Sequence, residues 1–467
     1  MKKSTITLCL LIIAYSLSSQ TRLSLEESRS LALENSESMN IARLQIEKAE
    51  AERAAVRTNY LPSLSGNAMG LWMNKDIEQE LYMPTAVPNP ITGELVPNVT
   101  THPVTGEVVV GPDGNPVFNM YAWMPLAISL KGAYLAGISL EQPIYTGGKI
   151  NAASQMTRIA TEMAKENLEW TQTNTLYETD QAYWLYVSVQ EKVRLAESYT
   201  LLLETLEKQV QHAFETGMTT QNELLKVKVK HNEARLQLQK ARSGRELTRM
   251  ALCRLTGLPF DTPIITTDTV FVGPVMASQG LVTADLKNRP EFRLLQKNTE
   301  LAEQQLKIVR ADFLPTAGIS LGFNNIGGIE ISQTDYNSSN ASLIGSLKVP
   351  IFHWGEGRQK QLSARKDLEI KKAELEKNEK LLTLEMEQAR LNLSDAMIRV
   401  GMAREALLQA EENLRVESDN YELGMGILTD LLEAQAQWQN ARSEIIEAGA
   451  DLKMKETAWL KASGNLK

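Results

Sequence analysis

The chain has 467 residues, with 49 Lys and Arg against 57 Asp and Glu, and is 43% hydrophobic but only 6% aromatic. Such a length ordinarily divides into two or three compact domains, yet sparse aromatics and a modest apolar fraction argue against one large packed core. A formal net charge of −8 gives no support to a nucleic-acid partner.

Residues 1–20 read as a secretory signal peptide: Lys2 and Lys3, an apolar run over 8–15, then small polar Ser16, Ser18 and Ser19 where cleavage would fall. The mature protein is therefore expected outside the cytoplasm. Cys9 lies inside the apolar run, not at its end, so it is a poor lipid-attachment site. Its removal leaves Cys253 alone, and no disulfide forms within the chain. No later run approaches the ~18 apolar residues of a spanning helix, so any membrane segment must be built from strands.

Self-similarity organises the rest. The stretch FETGMTTQNELL from Phe214 recurs as YELGMGILTDLL from Tyr421, an offset of 207. PIYTGG from Pro143 recurs as PIFHWG from Pro350, and LTG from Leu255 as ASG from Ala462, at the same offset. RTNYLPS from Arg57 matches RADFLPT from Arg310 at 253, so the first copy carries 253 − 207 = 46 extra residues. These fall in a proline-rich loop over 75–125, which holds eight of the sixteen prolines. The organisation expected is a first repeat over 21–256, a linker or equatorial segment over 257–283 with Pro259, Pro263 and Pro274, and a second repeat over 284–464.

Within each repeat the elements run in one order. A helix is predicted over 25–60 and again over 284–313, ended by Leu-Pro because proline biases its predecessor toward extended geometry. Two strand segments follow. From 127 to 144, Ile128, Leu130, Tyr134, Ala136, Ile138, Leu140 and Ile144 alternate with Ser129, Lys131, Ser139 and Glu141. In the second copy Ala317, Ile319, Leu321 and Phe323 alternate with polar or small neighbours, and Leu343, Gly345, Leu347, Val349 and Ile351 oppose Ser342, Ser346 and Lys348. Residues 63–73 are the weakest such segment. Two-residue alternation means a sheet with one apolar and one polar face, either half-buried in a soluble core or facing lipid. Aromatics at the segment margins, among them Trp72, Tyr121, Trp123, Tyr145, Phe352 and Trp354, fit interfacial girdles and also ordinary strands.

Long helices are predicted over 150–213 and 357–421, each close to ~100 Å at ~1.5 Å per residue. No globular core is that long. Leu368, Leu375, Leu382, Ala389, Ala396, Ala403 and Ala410 repeat every seven residues, with Met386, Leu393, Val400, Leu407, Leu414 and Tyr421 shifted by four. The two rows form a coiled-coil seam, and Met156, Met163, Trp170, Tyr177 and Trp184 repeat likewise in the first copy. A glycine turn and a further helix close each repeat.

Nothing indicates chemistry. His102, His212, His231 and His353 are scattered without metal-ligand spacing, and no phosphate-binding loop or nucleophile elbow occurs. No enzyme, cofactor or metal is expected.

The motifs LEESRSLALEN from Leu25, YLPSL from Tyr60, QPIYTGG from Gln142, and YELG from Tyr421 with DLLEAQ from Asp430 resemble the TolC-type outer-membrane efflux protein family, in order and spacing over 24–464. That resemblance implies a membrane α+β fold. A homotrimer would build a 12-stranded outer-membrane β-barrel, four strands per chain, continued by a long periplasmic α-helical barrel from the internal duplication. It implies an exit duct in outer-membrane lipid. A periplasmic adaptor, or membrane fusion protein, would link it to an RND-type or ABC-type inner-membrane transporter, with small toxic compounds as cargo. A duct for type I polypeptide secretion and a soluble periplasmic coiled-coil scaffold are the alternatives.

The resemblance also places a pore constriction just after the second glycine turn, at Asp430 and Glu433. Threefold symmetry would make six converging carboxylates, and two charges ~8 Å apart at an effective dielectric near ~20 repel by ~2 kcal/mol. Such a ring would favour cations, although acids at a helix start also simply complement its dipole. Glu223 is equivalent to Asp430, but TQNE from Thr220 is also a capping-box pattern. Lys226 stands where the second copy has Glu433. Tyr421 matches a tyrosine that ties neighbouring hairpins together in relatives, whereas Gly426 replaces an arginine that can lock their entrance. Adaptor docking is expected at the hairpin tips: Gly217, Met218, Thr219 and Thr220 in one, Gly424, Met425, Gly426, Ile427 and Leu428 in the other.

Overall fold

Ser24 opens the first helix with a complete capping box: its hydroxyl accepts from the Glu27 amide at 3.2 Å while the Glu27 carboxylate accepts from the Ser24 amide at 2.8 Å. From there the computed structural model describes residues 21–81, 86–89, 91–112, 114, 116–117, 126–270, 285–331 and 334–467. The signal predicted over 1–20, Tyr121 and Trp123 in the proline-rich loop, and 271–283 of the linker lie outside them. In chain order the elements are β1 (Thr21–Leu23), α1 (Leu25–Asn35), α2 (Glu37–Arg57), β2 (Ser63–Leu81), β3 (Ala86–Pro88), β4 (Leu95–Pro97) and β5 (Leu126–Tyr145). They continue with α3 (Lys149–Glu215), α4 (Gln221–Thr256), β6 (Ile264–Thr266), α5 (Pro290–Ala311), β7 (Thr316–Ile331), β8 (Thr334–Lys348), α6 (Glu356–Glu422) and α7 (Leu428–Ala462). Two units result, one of residues 1–53, 155–306 and 362–467, the other of 54–154 and 307–361.

Two expectations need correction. The helix predicted over 25–60 is broken at Ser36, whose extended ψ of 127° ends α1 before α2 begins. The loop predicted from residue 75 begins later, because β2 continues to Leu81 and pairs with β5 as far as Leu126. Backbone pairing there tolerates the polar run around Asp76 to Glu80, since the ladder uses amides whatever the side chains. Part of the loop is itself a hairpin of β3 and β4.

The sheet unit is a four-stranded antiparallel sheet in the order β2, β5, β7, β8. Its register explains the alternation. Leu64, Leu140, Leu321 and Leu343 pair directly in one rung across all four strands, and Ser65, Ser139, Gly322 and Ser342 form the next. Successive residues point to opposite faces, so the leucines share one face and the serines the other. Ser65 and Ser139 hydroxyls meet at 2.9 Å. The alternation is interrupted by register shifts between Leu130 and Tyr134 and between Pro143 and Tyr145. Leu64, Met69, Trp72, Phe323, Leu343 and Leu347 are exposed, and β2 and β8 are free edges of this sheet.

The helical unit keeps the heptad arithmetic. Ala396, Val400, Ala403 and Leu407 of α6 are buried against Ile445, Ala448 and Leu452 of α7. Each fully buried leucine or isoleucine on that seam contributes about 1.5–3 kcal/mol, while the alanines permit close helix approach. A second cluster gathers Tyr183, Trp184, Tyr186 and Val187 of α3 around Leu23, Leu252, Cys253 and Ile264. There β1 and β6 pair in parallel, with the Tyr183 hydroxyl donating to the Leu23 carbonyl at 3.1 Å and that of Tyr186 to the Ile264 carbonyl at 2.8 Å. Nearby, fully buried Asp180 receives both arms of Arg29, at 2.8 and 2.6 Å, and the Thr457 hydroxyl at 2.7 Å. The carboxylate holds the guanidinium in its charged form. No helix among the described residues is long and apolar enough to cross a membrane.

Candidate functional site

Two glycine turns shape the hairpin tips. Gly217 has φ +75° and Gly424 has φ +72°, a left-handed geometry that glycine adopts without steric cost. At the first tip, the Met218 amide reaches back to the Ala213 carbonyl at 2.8 Å. At the second, the Met425 and Gly426 amides both donate to the Asn420 carbonyl, at 2.8 and 3.0 Å. Each turn thus satisfies carbonyls that the ending helix leaves open.

The start of α4 is capped by Thr220, whose hydroxyl accepts from the Glu223 amide. The Glu223 carboxylate does not close the reciprocal half of the box. It takes the Thr219 hydroxyl instead. The start of α7 has no side-chain cap, since Ile427 occupies that position.

Glu223 lies 198 positions before Tyr421 in sequence, yet its charge acts on the Tyr421 phenol. Burial raises the Tyr421 phenol above its ordinary pKa and the negative charge of Glu223 adds to it. Tyr421 also packs on the cluster formed by Leu203, Leu206, Leu224, Val227, Leu428, Leu431 and Leu432. Asp430 and Glu433 are exposed, one turn apart on α7, and Glu433 accepts from the Gln437 amide at 3.2 Å. Lys226 crosses between hairpins to the Thr429 hydroxyl at 3.2 Å. Lys226, Lys230, Leu225, Val229, Leu432 and Glu433 line an open groove of about 590 Å³ between α4 and α7. Asp430 is not among its lining residues.

The tip residues divide by exposure. Met218, Met425 and Ile427 are exposed, but Leu428 is only 1% exposed and belongs to the tip's own core, which corrects its expected place on a docking surface. The helix period accounts for this: Leu428, Leu431 and Leu432 lie on one face at three- and four-residue spacing, a signal present in the sequence. The glycine at 426 also has a local reason. A Cβ there would stand 3.2 Å from the Asn420 Cβ and 3.3 Å from the Tyr421 amide nitrogen, so a larger residue requires the turn to give way. The Asn420 carbonyl and the Thr219 hydroxyl are contributors that pattern reading missed, one being backbone and the other visible only as a threonine four residues before an acid.

Among the described residues, no group of three or more His, Cys, Asp and Glu is placed to hold a metal.

Comparison with known proteins accords with this geometry. The family model for outer membrane efflux proteins matches residues 29–258 and 281–465. Protein CyaE of Bordetella pertussis is 24% identical over 348 residues, covering 70% of each chain. The alkaline protease secretion protein AprF of Pseudomonas aeruginosa is 23% identical, covering 70% of this chain and 68% of its own. The Campylobacter jejuni CmeC outer membrane channel superposes with a TM-score of 0.70 at 16% identity, over 95% of this chain and 86% of that one. The fold class read from the sequence is thereby borne out.

Proposed function

The chain belongs to the outer membrane efflux protein family, and on that premise we propose that three copies pool their sheets into one twelve-stranded barrel. The protein is an outer-membrane exit duct, and its strands, not its helices, meet the lipid. One observation carries the trimeric reading: a four-stranded sheet with two free edges and an exposed leucine face. In lipid every backbone amide must be paired, and closed single-chain barrels begin at about eight strands, so four strands need other copies. Three copies supply twelve.

In this reading the helical hairpins reach toward the inner membrane. A periplasmic adaptor docks at the tips through Met218, Met425 and Ile427 and the backbone of Gly217, Thr219, Thr220, Gly424 and Gly426. An RND-type or ABC-type transporter supplies small toxic compounds. Asp430 and Glu433 from three copies form the constriction, with Glu223 and Tyr421 holding adjacent hairpins beside it. A second reading, export of polypeptides, is favoured by the similarity to AprF, an alkaline protease secretion protein. Reconstitution into a planar bilayer tests the duct: discrete conductance steps are expected, and a preparation that never conducts would refute it. Deleting the gene separates the cargoes, since sensitivity to toxic compounds marks the first reading and loss of a secreted polypeptide the second.

A further inference from the structure

Within the chain, the junction where β5 turns into α3 is seated on the end of α5. Gly147, at φ +63°, lies so close that a Cβ built on it would be 2.8 Å from the Leu314 Cβ and 2.9 Å from the Ala311 carbonyl oxygen. Beside it, Lys149 pairs with Asp312 at 2.7 Å. The contact follows from topology. β5 and β7 are neighbours, so the turn after one strand meets the Leu-Pro segment before the next.

The duplication maps this contact onto a second one that a single chain cannot make. At the offset of 207, Gly147 corresponds to Trp354 and Gly148 to Gly355; at 253, Ala311 and Leu314 correspond to Thr58 and Leu61. Trp354 follows β8 and Leu61 precedes β2, and these strands are the free edges at opposite sides of the sheet. The β2 start and the β8 end lie at the same end of the strands, because Ser63, Glu141, Ser320 and Ile344 share a rung. Closing the sheet with another copy therefore brings that copy's 58–61 segment to Trp354.

The side chains suit that place. Trp354 is 91% exposed and, at φ +48°, is the single non-glycine residue with positive φ among the described residues. Phe352 stacks edge-on against it at 4.9 Å, and Phe352, Tyr60 and Leu61 are exposed too. The ion pair of the internal junction has no counterpart here, since Lys149 and Asp312 correspond to Glu356 and Asn59, and Glu356 is already paired with Lys360. Apolar contact takes the place of that ion pair.

We propose that Trp354 of each copy packs on the 58–61 segment of the next copy, at the junction equivalent to the one Gly147 makes with Ala311 and Leu314 within one chain, the indole holding that segment farther off than the glycine does. The proposal rests on the three-copy reading above. It is tested on the full chain carrying Leu61→Cys with Trp354→Cys, purified in detergent and oxidised, with each single substitution as control; buried Cys253 stays in place. Covalent dimers and trimers at least tenfold above the single-cysteine controls are expected. Particles of three chains that fail to cross-link overturn the Trp354 contact and leave the trimer standing. Rapid alkylation of the position-354 thiol by a lipid-soluble maleimide in such particles marks a membrane-facing side chain and also overturns it. Particles of one chain overturn both readings. Independently, Trp354→Gly relieves the backbone at that φ, so it should spare the chain's fold while lowering the temperature at which copies separate; an unchanged separation temperature contradicts the contact.

Discussion

Asn35 lies against Gly257 so closely that a Cβ built on the glycine would come 2.4 Å from the Asn35 Cβ, and the Asn35 amide donates to the Thr256 carbonyl at 3.1 Å. The second repeat makes the same contact between Asn288 and Gly464, with 2.9 Å to the Asn288 Cβ. The residues correspond at the two offsets that relate the repeats, 253 for the asparagines and 207 for the glycines. The duplication thus persists as packing at the close of each repeat.

Gly257→Ala and Gly464→Ala should both lower the thermal unfolding midpoint. Their φ values of +73° and +75° cost alanine about 1–2 kcal/mol, and the collision adds about 1–3 kcal/mol. Gly217→Ala, at φ +75° with nothing within 4 Å, is the control and should lose only the conformational part. Circular dichroism melts in detergent check the order, with Gly257→Ala the most destabilised.

Asp180→Ala should destabilise by about 1–3 kcal/mol, because it leaves the partly buried Arg29 guanidinium with only Glu26 and the Thr457 hydroxyl with only the Lys453 carbonyl. Replacing the pair, Asp180→Leu with Arg29→Met, should recover a large part of that loss. Denaturant unfolding of the two variants measures the difference. Equal losses would show that the site depends on Asp180 packing and not on an unpaired charge.

Asp430→Ala with Glu433→Ala should weaken cation preference and block by multivalent cations in a planar bilayer. The reasoning is electrostatic: carboxylates on one helix face, brought together threefold, attract cations most where the passage is narrowest. Unchanged selectivity and block in the double variant would place the constriction elsewhere.

The buried phenols predict an alkaline limit. Burial raises Tyr199 and Tyr421, with a carboxylate adding to each. A raised phenol means that the fold favours the protonated form, so its contribution is complete below the ordinary value of about 10 and is lost as pH rises beyond it. Phenolate absorbance should therefore show a group of tyrosines titrating late, together with loss of helix. Tyr421→Phe should reduce that loss and leave neutral stability within about 0.5 kcal/mol.

What the sequence makes legible is what it states twice or states periodically. The long helices expected over 150–213 and 357–421 run Lys149–Glu215 and Glu356–Glu422, and the Ala396, Val400, Ala403 and Leu407 seam is buried as its spacing requires. Interactions between distant, unrepeated residues are not legible in this way. Nothing local to Arg29 points to Asp180, and nothing in Thr21–Leu23 announces a parallel partner at Ile264–Thr266. The break at Ser36 is different in kind, because Asn35, Ser36 and Ser38 favour helix ends, a local signal that composition averaged over 25–60 hides. At the tips, the turns, the acids and the buried face of Leu428, Leu431 and Leu432 are readable from pattern, whereas the influence of Glu223 on Tyr421 depends on how two hairpins pack.

The central claim is that one chain supplies a third of a barrel wall. Mass measurement of the detergent-solubilised particle, corrected for bound detergent and paired with projection images, tests it most directly. Three chains around a continuous central bore are predicted; a particle of one chain, with no bore, would contradict the account.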